Sequence, residues 1–358
     1  MTGKIKKLNF KSLLIFNTFA LIVTSYFFKN FIFIGVYIFS FFISLLTTKN
    51  GLKIIKEFNL LQNIRAEGPA NHYKKKDTPT MGGIFIVVPF LIFLLIIDVN
   101  LGNPKLLLLL LTIFGFFITG VLDDYLSIKN KKNTGLKSKE KFILQSIISI
   151  IFIFLAYEKN LISPLLTISD SWEINMSIFI IPISFFVLVG MSNSVNLSDG
   201  LDGLATGCSA IVFYGLGTEI LMKGQQEIII FSILCYSMSG LCLGFLKYNS
   251  YPAKIFMGDA GSLSIGAILG TIALLTDSLF TLSIFSGIFI IESLSVIIQV
   301  GYFKITKKFF HSGKRIFLMT PIHHHFELMG VKEQKIVENF WKINILLVIL
   351  GIVLKINL

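Results

Sequence analysis

Five aspartates stand in short polar motifs between long apolar runs, and they are the side chains of this sequence best suited to chemistry. They are Asp123, Asp124, Asp199, Asp202 and Asp259. Carboxylates near lipid are costly unless they are paired or bound to a cation. If the fold gathers these five, an oxygen-liganded divalent ion, most simply Mg²⁺, would offset their repulsion. The plainer interpretation is that Asp123 and Asp124 end a helix and that Asp199 and Asp202 belong to turns.

Three consecutive histidines, His323 to His325, form a second unusual feature. They suggest zinc, but adjacent residues on a helix point about 100° apart, so the three cannot easily ligate one metal. The three histidines, together with the many lysines, are better suited to donating hydrogen bonds to phosphate oxygens than to binding a metal. A basic rim around an acidic, metal-holding centre suits a nucleotide diphosphate. The sequence contains no GxxxxGK[ST] and no strand followed by GxGxxG, which excludes a Walker ATPase and a Rossmann enzyme.

Composition indicates the elements that must position these residues. Of the 358 residues, 54% are hydrophobic and 15% are charged, with a mean hydropathy of +0.79, whereas soluble domains carry about 25% charged residues. A membrane span needs roughly 20 apolar residues. We therefore predict an all-α polytopic membrane protein, a bundle of about ten transmembrane helices (possibly eleven) within a single domain, 1–358. The apolar runs lie at 12–28, 31–46, 81–97, 106–122, 142–157, 177–195, 205–222, 228–245, 263–276, 279–303 and 340–354.

Basic residues mark alternate loops. Seven lie in 47–80, six in 123–141 and eight in 304–342. The intervening loops carry one lysine each and lie at 98–105, 158–176 and 223–227. Lys and Arg accumulate in cytoplasmic loops, so every polar motif falls on the cytoplasmic side, which predicts one composite site there.

The net charge and the N-terminal region are less informative about function. The net charge of +12 reflects this topology and anionic headgroups rather than nucleic acid. The anchor region 1–46 has an uncertain span count: if both of its apolar runs cross the membrane the total is eleven, and if one crosses it is ten.

The motifs together resemble the phospho-N-acetylmuramoyl-pentapeptide-transferase family, part of the polyprenyl-phosphate N-acetylhexosamine-1-phosphate transferase superfamily. They are Thr-Pro-Thr-Met-Gly-Gly at 78–83, Asp-Asp-Tyr at 123–125, Asn-x-x-Asn-x-x-Asp-Gly-Leu-Asp-Gly at 193–203, Phe-Met-Gly-Asp-x-Gly-Ser at 256–262 and Pro-Ile-His-His-His-x-Glu at 321–327. The resemblance runs from about Arg65 to the C-terminus. The histidine motif favours this family over the related UDP-N-acetylglucosamine phosphotransferases, which remain the alternative.

The resemblance implies transfer of phospho-N-acetylmuramoyl-pentapeptide from UDP-N-acetylmuramoyl-pentapeptide to undecaprenyl phosphate, with UMP as the second product. It also implies Mg²⁺, a homodimer, and a bacterial inner-membrane location with the active site facing the cytoplasm. Two positions depart from the family. Asp77 stands where Gly is usual, and Ser127 stands where Lys is common, so the resemblance does not settle which lysines contact phosphate.

Carried over by position, the resemblance assigns roles to individual residues. It implies catalytic roles for Asp123, Asp124, Asp259 and His324. It implies Asp259 as the principal metal ligand, with Asp199 as a second. The substrate-binding positions are Lys75, Thr80, Lys131, Lys139, Asn196, Asp199, Asp202, Asn249, Phe256, Ser262, His323 and His325.

Three questions stay open at this stage. The transfer could be one direct in-line step or could pass through a covalent aspartyl-phosphate. An anion transporter also carries intramembrane carboxylates, although the polar motifs here lie at span ends and without an internal repeat. Glu292 interrupts a long apolar run and either serves function or makes hydrogen bonds between packed helices.

Overall fold

A computed structural model describes residues 9–57, 78–98, 102–130, 135–169 and 171–357 of the chain. Its helices are α1 Phe10–Phe27, α2 Ile32–Glu57, α3 Ile84–Ile97, α4 Pro104–Lys129, α5 Ser138–Glu158, α6 Ile180–Ser198, α7 Leu204–Met222, α8 Ile229–Asn249, α9 Gly258–Leu275, α10 Leu279–Phe285, α11 Gly287–Phe310, α12 Ile322–Leu328 and α13 Glu333–Asn357. A small antiparallel hairpin, β1 Leu165–Thr167 with β2 Glu173–Asn175, interrupts the segment 158–176.

Ten helices of the described residues are long and apolar enough to cross a membrane. This confirms the predicted all-α polytopic membrane fold with about ten spans. The ten include both N-terminal helices, α1 and α2, and leave out the shorter α3. With 14 residues, α3 is roughly 21 Å long, less than the ~30 Å hydrocarbon core. Whether α1 adds an eleventh crossing stays a prediction.

Three helices form the centre of the bundle. The apolar stretch of α7 is completely buried, and those of α8 and α9 are 83% and 89% buried, against 28% for α1, α2, α5 and α11. Small residues let the neighbouring backbones approach closely. A methyl group on Gly240 of α8 would lie 2.3 Å from the Tyr37 carbonyl oxygen of α2, and one on Gly244 would lie 2.4 Å from that of Phe41. Such contacts replace the hydrophobic driving force that is absent between helices in lipid.

Several predicted runs are shorter than the helices that form, since α2 continues to Glu57 and α13 begins at Glu333. Two further differences concern the number of helices and the site. The run 279–303 is divided into α10 and α11 at Ser286, whose hydroxyl donates to the Leu282 carbonyl at 2.6 Å. The run 263–276 begins too late, because α9 starts at Gly258. Hydropathy misses the first turn of α9 since it contains Asp259 and two glycines. Asp259 therefore belongs to the first turn of α9.

Candidate active site

Three carboxylates meet where α4 nears its end and α9 begins. Asp123, Asp124 and Asp259 each offer one oxygen, and these oxygens lie within 4.8 Å of one another. The two neighbours on α4 do not end that helix, which continues to Lys129. Asp259 lies in the first turn of α9, where unpaired N–H groups make the local field positive and favour an anion.

Asp124 fixes the start of α9. Its Oδ1 accepts a hydrogen bond from the Asp259 backbone N–H and its Oδ2 accepts one from that of Ala260, both at 3.0 Å. It therefore caps a helix other than its own. Gly258 is required here for two reasons, since its φ is +73° and a Cβ would lie 2.6 Å from Asp124 Oδ2.

Lys141, in the first turns of α5, supplies the positive charge of this cluster. Its Nζ lies 3.3 Å from Asp123 Oδ1 and forms a direct ion pair with Asp259. Asp123 Oδ1 also accepts the Leu136 backbone N–H at 3.0 Å, which holds the segment before α5 against α4. Lys141 is the lysine that the sequence reasoning missed, whereas Lys139, the predicted one, is exposed.

In the structure, Lys141 is distinguished by the face of α5 on which it lies. It lies four residues before Gln145, so both occupy one face of α5, and Gln145 is 1% exposed. A lysine that shares a face with a buried amide is a better candidate than a lysine on the opposite face. The other predicted lysines, Lys75 and Lys131, lie outside the described residues.

Asn196 joins α6 to the cluster. Its Nδ2 donates to Asp259 Oδ1 at 2.7 Å and lies 2.9 Å from the Ser262 hydroxyl. The Ser262 hydroxyl in turn donates to the Gly258 carbonyl at 3.0 Å. Two predicted binding residues are thus brought directly against the principal predicted metal ligand.

Asp199, just past the end of α6, is not one of the three grouped carboxylates. Burial, together with the charges of Asp259 and Asp124, raises the pKa of Asp199 well above its ordinary value, although a hydrogen bond from the Gly258 backbone opposes this. A carboxyl in this position gains from a nearby cation.

Two predicted substrate residues hold the segment between α8 and α9. Asp202 Oδ2 accepts the Ala253 backbone N–H at 2.9 Å. Asn249 is 2% exposed, accepts from the Thr206 hydroxyl at 2.8 Å and donates to the Ile255 carbonyl at 3.0 Å. Asn249 therefore has a structural role in this arrangement.

The motif at 78–83 pairs with the same segment through its backbone. The Phe256 N–H donates to the Pro79 carbonyl at 2.8 Å, and the Gly82 N–H donates to the Phe256 carbonyl at 2.9 Å. Thr80 lies between them in sequence and is 5% exposed. Motifs about 180 residues apart in the chain thus form one wall beside Asp259.

His323 is fully buried, as is Glu292 of α11, and its Nδ1 lies 3.0 Å from Glu292 Oε2. On its other side, His323 packs against Gly200, where a Cβ would lie 2.3 Å from Nε2. This contact places the histidine motif beside the loop that follows Asp199. It also supports a packing role for Glu292.

The other two histidines have different partners. His324 Nδ1 lies 2.7 Å from Glu327 Oε2, and His325 Nδ1 accepts the Leu318 backbone N–H at 3.2 Å. Among the described residues, the aspartate cluster is the one group of three or more side chains placed to hold a metal. The three histidines thus have three different partners.

Two neighbouring cavities share part of their lining, and one of them includes the aspartate cluster. The first, of about 660 Å³, is lined by Asp123, Lys141 and Asp259 at one end and by Phe185 and Val296 at the other. The second, of about 440 Å³, is apolar and lies between α6, α10 and α11. Four residues line both cavities, Phe186, Gly190, Ser194 and Ser293. A charged centre thus continues into an apolar groove.

Comparison with known proteins decides the family. Residues 106–277 match glycosyl transferase family 4, and residues 75–87 match phospho-N-acetylmuramoyl-pentapeptide-transferase signature 1. The phospho-N-acetylmuramoyl-pentapeptide-transferase of Prochlorococcus marinus (strain MIT 9312) is 83% identical over 358 residues, which is 100% of each chain. This chain belongs to the phospho-N-acetylmuramoyl-pentapeptide-transferase family. The family resemblance predicted from the motifs is therefore confirmed.

Members of this family from more distant bacteria remain similar along most of the chain. The phospho-N-acetylmuramoyl-pentapeptide-transferase of Thermodesulfovibrio yellowstonii (strain ATCC 51303 / DSM 11347 / YP87) is 41% identical over 332 residues, covering 87% of this chain and 90% of that one. The family signature at 75–87 contains the 78–83 motif that pairs with Phe256. This chain is thus a multi-pass membrane protein of the family with an aspartate cluster that could hold a metal ion.

Proposed function

We propose that this chain transfers phospho-N-acetylmuramoyl-pentapeptide from UDP-N-acetylmuramoyl-pentapeptide to undecaprenyl phosphate, releasing UMP and forming the first lipid-linked intermediate of peptidoglycan synthesis. One observation carries the proposal beyond family membership. The cavity that holds Asp123, Lys141 and Asp259 at one end is walled by apolar side chains at the other. A water-soluble nucleotide and a membrane lipid can meet only at such a boundary.

The lipid acceptor would lie along α6 and α11. Its phosphate would reach Lys141, and its polyprenyl chain would follow the aromatic wall at Phe185 and Phe186 into the apolar cavity. Apolar chains gain by leaving water for such a surface. The lysine ammonium donates to phosphate oxygens as a point charge.

The reaction exchanges one phosphoanhydride for another, so it is near balance and needs no ATP. A phosphate monoester has a second pKa near 6, so the acceptor is already largely a dianion at neutral pH and no strong base is required. In the direct scheme, an acceptor oxygen attacks the β-phosphorus of the nucleotide. The bond from that phosphorus to the bridging oxygen breaks, and its electron pair leaves with UMP.

Lys141 and Asp123 would act on the acceptor. Lys141 lies between Asp123 and Asp259, so it would hold phosphate oxygens and stabilise charge that develops in transfer. Asp123 would orient the acceptor phosphate or take its last proton. A covalent aspartyl-phosphate is the competing scheme, and a phosphorylated protein trapped without acceptor would establish it.

A divalent cation fits the donor set. Three carboxylates lie within 4.8 Å, and among the described residues Lys141 is the one cation ion-paired with them. Asp259 and Asp123 would hold Mg²⁺, because both oxygens of Asp124 already accept backbone N–H groups. When bound, the ion would neutralise the pyrophosphate. Asp199 as a further ligand stays a prediction.

The uridine nucleotide would occupy the side formed by the ends of α6 and α8. Asn196, Asp199 and Asp202 border it, and Phe256 offers a ring on which uracil could stack. His324 and His325 would donate to phosphate oxygens from α12.

Charge supports the orientation of the site. The lysine-rich segment 123–141 includes the end of α4 and the start of α5, and the positive-inside bias assigns it to the cytoplasm. The proposed active site therefore faces the cytoplasm from the bacterial inner membrane. The homodimer implied by the resemblance stays a prediction.

UMP release tests the proposal. Detergent-purified protein would be given undecaprenyl phosphate, Mg²⁺ and either UDP-N-acetylmuramoyl-pentapeptide or UDP-N-acetylglucosamine. We expect release with the muramoyl nucleotide and its loss on adding EDTA. Release with the acetylglucosamine nucleotide alone would replace the assigned donor with that of the related superfamily members.

A further inference from the structure

One face of α11 carries three polar side chains spaced seven residues apart, Glu292, Gln299 and Thr306. Seven residues make nearly two turns, so each is offset from the last by only about 20° around the helix. All three are buried, although only 28% of the apolar stretch of α11 is buried. Each of them contacts the segment 314–323, which returns from the end of α11 to α12. We call these three residues the clamp.

Two of the clamp residues hold the backbone of the returning segment. The Thr306 hydroxyl accepts the Lys314 N–H at 2.9 Å. Gln299 Oε1 accepts the N–H groups of Ile316 and Phe317 at 2.9 and 3.0 Å, and its Nε2 donates to the Phe317 carbonyl at 2.8 Å. The Ile316 side chain is half exposed, so these hydrogen bonds, rather than apolar burial, fix the path of the segment.

The third contact joins Glu292 to His323, whose Nδ1 lies 3.0 Å from Glu292 Oε2. Both side chains are 0% exposed, so the pair acts through the groups that it packs against. A hydrogen bond at one ring nitrogen fixes how the other is presented. Here Nε2 faces Gly200, where a Cβ would lie 2.3 Å away. Gly200 stands between Asp199 and Asp202, so His323 supports the loop proposed to border the nucleotide.

The clamp lies on a different face of α11 from the cavity that contains Lys141. Ser293, Val296 and Ile297 line that cavity. Adjacent residues of a helix point about 100° apart, so Ser293 is turned away from Glu292. A change at Glu292 can therefore displace the loop beside the nucleotide without altering the wall proposed to hold the acceptor.

We propose that Glu292 is a positioning residue for the nucleotide, which holds the loop 199–203 in place through His323. Gln299 and Thr306 fix the segment that carries this histidine. The inference rests on the proposed function and deepens it, because it assigns a role in donor binding to a side chain that no substrate reaches. Loss of Glu292 should therefore weaken binding of the nucleotide and leave binding of the lipid acceptor unchanged.

The test is the kinetics of UMP release by full-length E292M, whose side chain is of similar length but forms no hydrogen bond with the imidazole. We expect the KM for UDP-N-acetylmuramoyl-pentapeptide to rise at least about tenfold, because small displacements of positioning groups are costly. The KM for undecaprenyl phosphate should stay within about twofold, since that binding surface is unchanged. E292Q should stay close to the unsubstituted protein, because an amide offers both a donor and an acceptor to Nδ1.

Glu219 of α7 supplies the matched control. It is also a glutamate buried within an apolar helix, at 1% exposure. Its contacts are Lys223 at 3.1 Å and the Ser278 hydroxyl at 2.7 Å, at the end of α7 away from the loop 199–203. E219M should lower Tm and leave the KM for the nucleotide unchanged, which separates loss of a buried glutamate from loss of positioning.

A double variant tests whether Glu292 acts through His323. Replacing both partners of a buried hydrogen bond by apolar groups of similar shape leaves no polar group unpaired. E292M/H323L should therefore fold even if E292M does not. Its KM for the nucleotide should equal that of H323L, because Glu292 then has no imidazole to hold.

The positioning role is overturned if E292M leaves the KM for the nucleotide unchanged or raises both KM values alike. It is also overturned if E219M raises that KM as much, or if the double variant exceeds H323L. The Kd for UDP, measured by titration calorimetry, separates this role from the proposed function, because both candidate donors contain UDP. Weaker UDP binding by E292M, with no UMP release by the unsubstituted protein, would overturn the proposed function alone. Normal transfer with unchanged UDP binding by E292M would overturn the positioning role alone.

Discussion

Lys141 forms an ion pair with Asp259 that joins the first turns of two helices, α5 and α9. The same ammonium lies 3.3 Å from Asp123 Oδ1 of α4. One side chain thus ties three helices at the point where the phosphates are proposed to react. Substitutions can separate the role of Lys141 from that of the neighbouring lysines.

Replacing Lys141 should remove activity selectively. K141M keeps the length of the side chain but loses the charge, so we expect UMP release to fall by about 10²- to 10³-fold, as for loss of one group that stabilises a transition state. The matched control is K139M, two residues away on the exposed face, which should retain activity within a few-fold. Equal losses in both variants would contradict the assignment.

Asp124 should contribute to stability, and Asp123 mainly to activity. D124N places an amide N–H₂ against one of the two backbone N–H groups that begin α9. Leaving such a donor unpaired costs about 1–3 kcal/mol, so Tm should fall along with activity. D123N keeps an acceptor for the Leu136 N–H, and it loses the ion pair with Lys141 while removing repulsion from the neighbouring carboxylates, so its Tm should fall less than that of D124N. Thermal denaturation of the two variants decides this, and a larger fall for D123N would refute it.

Gly258 should be irreplaceable for reasons of both backbone and space. In G258A, the alanine would have to adopt the left-handed φ of +73°, and its methyl group would lie 2.6 Å from Asp124 Oδ2. Gly224 has a φ of +65° but nothing within 4 Å of a built Cβ, so G224A isolates the backbone cost of about 1–2 kcal/mol. We expect G224A to keep its activity and G258A to lose at least about tenfold. Full activity in G258A would show that the start of α9 tolerates displacement.

Asp199 should make stability depend on pH. Above about pH 4, the ordinary aspartate value, the unfolded chain ionises this carboxyl while the folded one keeps its proton, because its pKa is raised. Its stabilising contribution is present below that pH and is lost as pH rises through the raised pKa. In EDTA, the Tm of D199N minus that of the unsubstituted protein should therefore grow with pH. A difference that shrinks or stays constant would contradict the raised pKa.

Sequence patterns predicted the main features of this fold. Apolar runs located nearly every helix because each must satisfy its own backbone in lipid. Hydropathy was less informative at polar helix ends. It placed the start of α9 after Asp259, and it merged α10 with α11 because Ser286 and Gly287 break a helix without lowering hydropathy much.

The candidate site was predictable in part for a different reason. Asp123, Asp124, Asp259 and Asn196 were identified from their motifs, and the fold brings them together. Lys141 was missed, since several lysines of 123–141 have equal charge and only contact with Asp259 distinguishes one. The buried position of His323 against Glu292 depends on how the segment before α12 returns along α11, which no local pattern encodes.

The placing of the active site at the aspartate cluster is tested by the transfer of labelled phospho-N-acetylmuramoyl-pentapeptide from UDP-N-acetylmuramoyl-pentapeptide to undecaprenyl phosphate. The assay compares the unsubstituted protein with D259N and with D277N, which changes an aspartate just beyond the opposite end of α9. We expect labelled lipid with the unsubstituted protein and D277N, and a loss of at least about 10²-fold with D259N. Labelled lipid formed by D259N within tenfold of the normal rate would contradict the placing of the active site at this cluster.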